Sequence, residues 1–212
     1  ESRVFSPLVA APVVSVSSRI LFILRRLYKK TTMSLSGLFL QSRSRSEAVA
    51  ILARLTVDEE GNSLYTGAEA ASGFSDVSSD AWYAPYVAFA HRYGITGGYP
   101  DGTFRPDRPV SRSELVKLLS AYYEVQGGVV SFPDVPASYW AADVISFAAD
   151  QGWLAGYPDG TFRPEQNVSR AEAVTLINRV LGLAEAEGEM SFLDVNKDYW
   201  AYGAILAASR SA

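Results

Sequence analysis

The chain has 212 residues, 48% of them hydrophobic and 12% aromatic, enough apolar material for one compact repeat domain or two small ones. Its net charge of −4 hides an asymmetry: residues 1–43 hold seven Lys/Arg against one acid, and the rest hold twelve against twenty-two. So acidic a body is a poor general binder of nucleic acid. The absence of cysteine excludes disulfides, thiolate metal sites and cysteine nucleophiles, and one histidine, His91, is too few for most histidine-based metal or acid–base sites.

The first 43 residues are a basic leader. Arg19-Ile-Leu-Phe-Ile-Leu-Arg-Arg-Leu-Tyr-Lys-Lys30 mixes apolar runs with bases, which fits a membrane-surface helix or the remains of an export signal. Against export, Ile20–Leu24 is short, and bases follow where a small-residue cleavage site belongs. No run approaches the roughly 20 apolar residues of a spanning helix, so a membrane partner is not expected. The bland reading, a leader without a stable fold, is preferred. Starting at Glu1 rather than Met, the chain reads as a fragment or a processed product.

Beyond residue 43 the sequence repeats itself. Gly98-Tyr-Pro-Asp-Gly-Thr-Phe-Arg-Pro106 recurs unchanged as Gly156–Pro164, and 74–125 aligns without a gap on 132–183 with 23 identities in 52 positions. Phe-x-Asp-Val-x4-Trp occurs at Phe74, Phe132 and Phe192, and Ser-Arg-x-Glu at Ser44, Ser111 and Ser169. The boundaries follow: a second-half repeat at 44–55, a linker at 56–73, whole repeats at 74–125 and 132–183, and a first-half repeat at 192–212.

Each unit predicts helix–loop–helix. The first helix begins near Trp82 or Trp140 and ends at Gly94 or Gly152, glycines suited to a left-handed C-terminal position. Val87, Phe89 and Ala90 form its apolar face, matched by Ile145, Phe147 and Ala148. Pro-Asp-Gly in the following loop suits a tight turn. The second helix starts at Ser111 or Ser169 and carries Leu115, Val116, Leu118, Leu119 and Tyr122, or Val174, Leu176, Ile177 and Val180, at helical spacing. One such unit cannot bury both faces alone, so the units must pack together.

These residues resemble the S-layer homology family, whose pattern is Phe-x-Asp-Val…Trp, then Gly-Tyr-x-Asp-Gly-Thr-Phe-x-Pro, then Thr-Arg-Ala-Glu opening the second helix. Here that last motif reads Ser44-Arg-Ser-Glu47, Ser111-Arg-Ser-Glu114 and Ser169-Arg-Ala-Glu172, with the hydroxyl kept. The resemblance covers roughly 44–212. It implies an all-α, pseudo-threefold bundle, outside the cell at a bacterial cell wall, that holds a secreted protein by binding anionic secondary cell-wall polysaccharide, often through pyruvylated amino sugars. It implies no catalysis and no cofactor. Family modules usually hold three whole repeats, so the tail (44–55) and head (192–208) are expected to make a composite third unit.

Several residues carry two readings. Ser-x-x-Glu is a capping box, and Glu114 and Glu172 are also candidate ligand contacts. Arg45, Arg112 and Arg170 sit where a cation opposes the helix dipole. They pair with a neighbouring acid such as Asp107 or Glu165, or, beside free helix-start amides, they grip a carboxylate. Gly98, Gly102, Gly156 and Gly160 are turn residues, or bare backbone that a sugar approaches. Asp76, Asp134 and Asp194 cap or pair locally, with sugar hydroxyls as the alternative. Trp82, Trp140 and Trp200 read first as core or inter-unit packing and second as stacking platforms. Arg105 and Arg163 are rim cations or ion-pair partners. Calcium at Asp101 and Asp159 is disfavoured, since one acid per loop is too few ligands, and no metal is expected. His91, without a repeated counterpart, is a surface residue. Two other classes stay open: an enzyme, for which no catalytic constellation is evident, and a module that self-assembles or contacts other surface-layer proteins.

Overall fold

The computed structural model describes residues 44–56, 62–67, 71–123 and 125–209. Six helices follow in order: α1 Arg45–Leu55, α2 Ala84–Arg92, α3 Arg112–Ser120, α4 Ala142–Asp150, α5 Arg170–Val180 and α6 Tyr202–Ser209. The described residues form an all-α bundle without strands. The leader 1–43, with its membrane-surface and export readings, lies outside them, as does part of the 56–73 stretch.

Helix boundaries follow local chemistry. Ser44, Ser111 and Ser169 cap α1, α3 and α5, each accepting from the amide of the glutamate three residues on, which reaches back to the serine amide. Alpha2 and α4 begin two residues beyond Trp82 and Trp140, without a side-chain cap. Just past their ends Gly94 and Gly152 take φ +70°, the left-handed conformation that closes a helix.

The helices pair between repeats. Alpha1 packs on α2, α3 on α4 and α5 on α6, and α3 also touches α1 and α5. Within one repeat α2 and α3 lie farther apart, as do α4 and α5, and meet through shared core side chains rather than close backbone packing. The long connections 93–111 and 151–169 carry the second helix onto the next repeat's first helix. One core cluster collects Val49 and Leu52 from α1, Phe89 from α2, Leu115 and Leu118 from α3 and Ile177 from α5. A second gathers Val116, Ile145, Trp153 and Phe162, and a third Ala171, Val195 and Ile205. Burying each large side chain contributes about 1.5–3 kcal/mol. Alpha1 and α6 do not pack closely along their backbones, and neither do the two helices of a whole repeat. Leu55, at the end of α1, packs against the small cluster of Val174 and Ala208. Tyr65, in the stretch read as linker, stacks on Tyr86 at 4.5 Å and meets Phe89 edge-on.

A guanidinium–carboxylate clasp locks successive repeats. Arg45 Nε donates to the Phe104 carbonyl at 2.9 Å, and Nη1 donates to Glu114 Oε1 at 3.1 Å. Arg112 repeats this on Phe162 and Glu172, both at 2.9 Å. The Arg45 guanidinium lies 4.6 Å from the Tyr99 ring centre, and that of Arg112 lies 4.8 Å from Tyr157. The acid is therefore the next repeat's capping glutamate, where Asp107 or Glu165 had been expected. The helix-start amides are engaged too: Arg45 and Ser46 donate to the Arg108 and Pro106 carbonyls, and Arg112 and Ser113 to Gln166 and Pro164, at 2.9–3.1 Å. Free amides awaiting a carboxylate are thus ruled out at α1 and α3. The side chains of Arg45 and Glu114 are 7% and 10% exposed, and breaking so buried a pair costs about 3–5 kcal/mol.

Burial pushes the Glu114 carboxyl up, but the Ser111 amide, the Tyr99 hydroxyl and the Arg45 and Arg108 charges hold it below its ordinary value. Glu172 is likewise lowered, with the Ser169 amide and hydroxyl, Tyr157 and Arg112 outweighing burial. A depressed folded pKa gives stability that is complete above the unfolded value, about 4.3, and is lost as pH falls through the folded one. The urea midpoint is therefore flat above about pH 5 and drops in more acid solution. The Glu114→Gln/Glu172→Gln double variant starts lower at pH 7 and loses less on acidification.

Close packing and a left-handed backbone together dictate glycine at position 98. At Gly98, φ is +69° and an added Cβ would sit 2.3 Å from Phe74 Cε1 and 2.8 Å from the Thr103 carbonyl. Gly102 has φ +79° with nothing within 4 Å. Gly98→Ala is expected to cost about 2–4 kcal/mol in urea unfolding, combining backbone strain with overpacking, against about 1–2 for Gly102→Ala.

Candidate functional site

The repeated nonapeptide folds into a self-clipped loop. Tyr99 and Thr103 close it through an amide-to-carbonyl bond at 2.8 Å, as do Tyr157 and Thr161 at 2.7 Å. Asp101 Oδ1 accepts from the Thr103 amide and hydroxyl, and Asp101 Oδ2 from Arg105. The Thr103 and Arg105 hydrogen bonds hold the Asp101 carboxyl at about 2, and Asp159 is lowered in the same way by Thr161 and Arg163. Arg105 and Arg163 are thus ion-pair partners that also lie over Tyr99 and Tyr157, at 4.1 and 4.0 Å.

Asp76 and Asp134 hold the far side of the same loops. Asp76 accepts from the Phe104 and Arg105 amides, both at 2.7 Å, and Asp134 from Phe162 and Arg163 at 2.8 and 2.6 Å. Arg105 and Arg163 adopt φ +57° and +58°, which turns consecutive amides toward one carboxylate. The reading of these aspartates as caps is corrected: α2 and α4 have no side-chain cap, and the bonds reach 28 or 29 residues along the chain.

A cleft of about 630 Å³ opens beside the Arg112 clasp. Arg112 and Val116 of α3 form one wall, and residues 153–158 with Phe162 and Gln166 form the loop side. Glu172, Thr175, Leu176 and Arg179 of α5 line it as well, and so does Trp200, just before α6. Of the expected site residues, the cleft brings together Arg112, Glu172, Gly156 and Trp200. Gly156 is tight against protein rather than bare to a ligand, since its Cβ would fall 2.8 Å from Phe132. Gly98, Glu114 and Arg45 hold the matching places one repeat earlier, while Gly102 and Gly160 are exposed turn glycines. Arg170 is buried at the start of α5.

The tryptophans are placed differently from the core reading. Trp82, Trp140 and Trp200 are 58%, 58% and 57% exposed. Each precedes its helix by two residues, so the turn holds the indole outside the buried face, which falls to small neighbours such as Ala141 and Ala201. His91 is exposed, with Nδ1 2.7 Å from the Ser72 carbonyl.

Sequence reasoning passed over Tyr99 and Tyr157, whose hydroxyls donate to Glu114 and Glu172 at 2.7 and 2.9 Å. Their place in the unchanged nonapeptide was the available signal. Thr175 and Arg179 gave none, because Lys117 and Ala121 stand at their counterparts. Among the described residues no group of three or more acids or histidines could hold a metal ion, and no helix is long and apolar enough to cross a membrane.

Comparison with known proteins places these features. The S-layer homology domain family matches residues 73–116 and 131–174. The chain is 36% identical over 177 residues, 77% of its length, to Cell surface glycoprotein 1 of Acetivibrio thermocellus, and spans 7% of that protein. It is 34% identical over 166 residues, 75% of its length, to the Cellulosome-anchoring protein of the same organism, spanning 36% of it. It is also 34% identical over 157 residues, 69% of its length, to the Amylopullulanase of Thermoanaerobacterium thermosulfurigenes, spanning 8% of that enzyme. The chain thus covers little more than a third of these relatives at most, and what they share is a module found in surface proteins and enzymes alike. With matching repeats, capping boxes and loops, the chain carries two S-layer homology domains and belongs to that family.

Proposed function

We propose that this chain is a non-catalytic anchor that holds a secreted bacterial protein outside the cell by binding anionic, pyruvylated secondary cell-wall polysaccharide. The observation that carries the reading is the open cleft between repeats, lined by a guanidinium–carboxylate pair and by an exposed indole. Such a mixed lining suits a sugar: the indole stacks on its apolar face and polar groups meet its hydroxyls. The names of the anchoring and cell-surface relatives support the same reading.

On this proposal the helix-start residues Arg45, Arg112 and Arg170, with Glu114 and Glu172, form the walls of successive grooves. Gly98, Gly102, Gly156 and Gly160 shape the loops, Asp76 and Asp134 brace them, and Trp82 and Trp140 correspond to Trp200. The tail 44–55 and head 192–208 together supply a composite third unit. Several grooves along one polymer raise retention without any new contact.

One observation favours a second reading, self-assembly or contact with other surface-layer proteins: Val129 and Leu193 are 91% and 102% exposed, and three tryptophans are open to solvent as well. Sedimentation with purified cell walls separates the two. The anchor reading expects co-sedimentation that vanishes once the polysaccharide is extracted from the walls. Trp200→Ala is expected to weaken it about five- to tenfold, the worth of one stacked aromatic, with unchanged helical content. Binding to extracted walls, or concentration-dependent self-association without polymer, favours assembly instead.

A further inference from the structure

We infer that Arg179, rather than the helix-start arginines, receives the acidic group of the bound polymer, and that Gln166 is what leaves its groove open. The inference rests on the anchoring role proposed above and names the contact within it.

The two successive grooves differ in charge at three lining positions: Arg108 against Gln166, Lys117 against Thr175 and Ala121 against Arg179. In the earlier one, Arg108 reaches from the loop to Glu114 Oε1 at 2.8 Å and donates to the Tyr99 hydroxyl. Arg45 donates to the same Oε1, so both guanidinium groups converge on one carboxylate and the side chain of Arg108 bridges loop and helix. In the later groove Gln166 stands at that position and reaches the Tyr157 hydroxyl at 2.8 Å. Glu172 then has Arg112 as its guanidinium partner.

The later groove holds a second cation elsewhere. Arg179 lines the cleft, is exposed, and has no side-chain partner among the described residues, whereas its counterpart is Ala121. Glu172, Thr175, Leu176 and Arg179 share one face of α5, so Arg179 stands about 10 Å along the cleft from the Arg112–Glu172 pair. Between them lies Thr175, whose hydroxyl is buried without a hydrogen-bond partner. Arg112 already gives Nε to a carbonyl and Nη1 to a carboxylate, inside a buried clasp. An incoming carboxylate at Arg112 competes with Glu172; at Arg179 it meets an uncompensated cation. The occupant that fits is an acidic glycan, its charge at Arg179 and its sugar face toward Trp200.

Titration calorimetry of the full chain tests this, using purified anionic wall polysaccharide before and after chemical removal of its carboxylate-bearing ketals. For Arg179→Ala we expect affinity for the native polymer to fall about tenfold, to the level of the stripped polymer, whose own binding stays within about twofold of the parent protein. Gln166→Arg, which installs the crossing guanidinium, is expected to weaken both polymers, and circular dichroism checks that each variant keeps its helical content. If Arg179→Ala retains the full preference for native polymer, the assignment of the contact is wrong while the anchoring role stands. If the parent protein itself does not distinguish native from stripped polymer, the acidic-ligand reading fails and the inference with it.

Discussion

The fold depends on a guanidinium group that leaves its own helix and closes on the next repeat. At Arg45 and Arg112 the side chain leans away from α1 or α3, donates to a loop carbonyl and pairs with the following capping glutamate. A cation at a helix start is mildly unfavourable for that helix. The offset comes from outside it: a carboxylate, a carbonyl and two aromatic rings, all supplied by the neighbour. Because that glutamate also caps its own helix, the start of one helix and its attachment to the previous repeat depend on one side chain.

This arrangement also explains why the helices of one repeat need not pack backbone to backbone. Asp76 and Asp134 fix the loop to the segment before the first helix, the loop presents Phe104 or Phe162, and the clasp docks the preceding helix on that surface. Stability is then distributed over interfaces between neighbours, as in other repeat proteins. The cleft is a by-product of that docking: it lies where loop, clasp and two second helices converge.

Much of this was legible in the sequence. Ser-x-x-Glu announced three helix starts, Gly94 and Gly152 announced two ends, and the exact recurrence of the nonapeptide announced one loop used twice. What stayed hidden were partners distant in sequence. Glu114 lies 69 residues from Arg45, and no local spacing links them, so nearer acids looked plausible. The tryptophans misled because a bulky aromatic near a helix start is usually buried, whereas here a two-residue offset turns it outward. The repeats draw attention to what the units share, while Arg108 against Gln166, Lys117 against Thr175 and Ala121 against Arg179 are among the differences that make one groove unlike the other.

The account turns on Arg112 and Glu172 acting as one unit across the repeat boundary. A double-mutant cycle of Arg112→Ala and Glu172→Gln, read by urea unfolding at pH 7, isolates their coupling. The clasp predicts an interaction of about 1–3 kcal/mol, the double variant losing less than the two single losses combined. Strict additivity, with coupling below about 0.5 kcal/mol, would mean that the repeats are held by apolar packing alone and that the clasp is incidental.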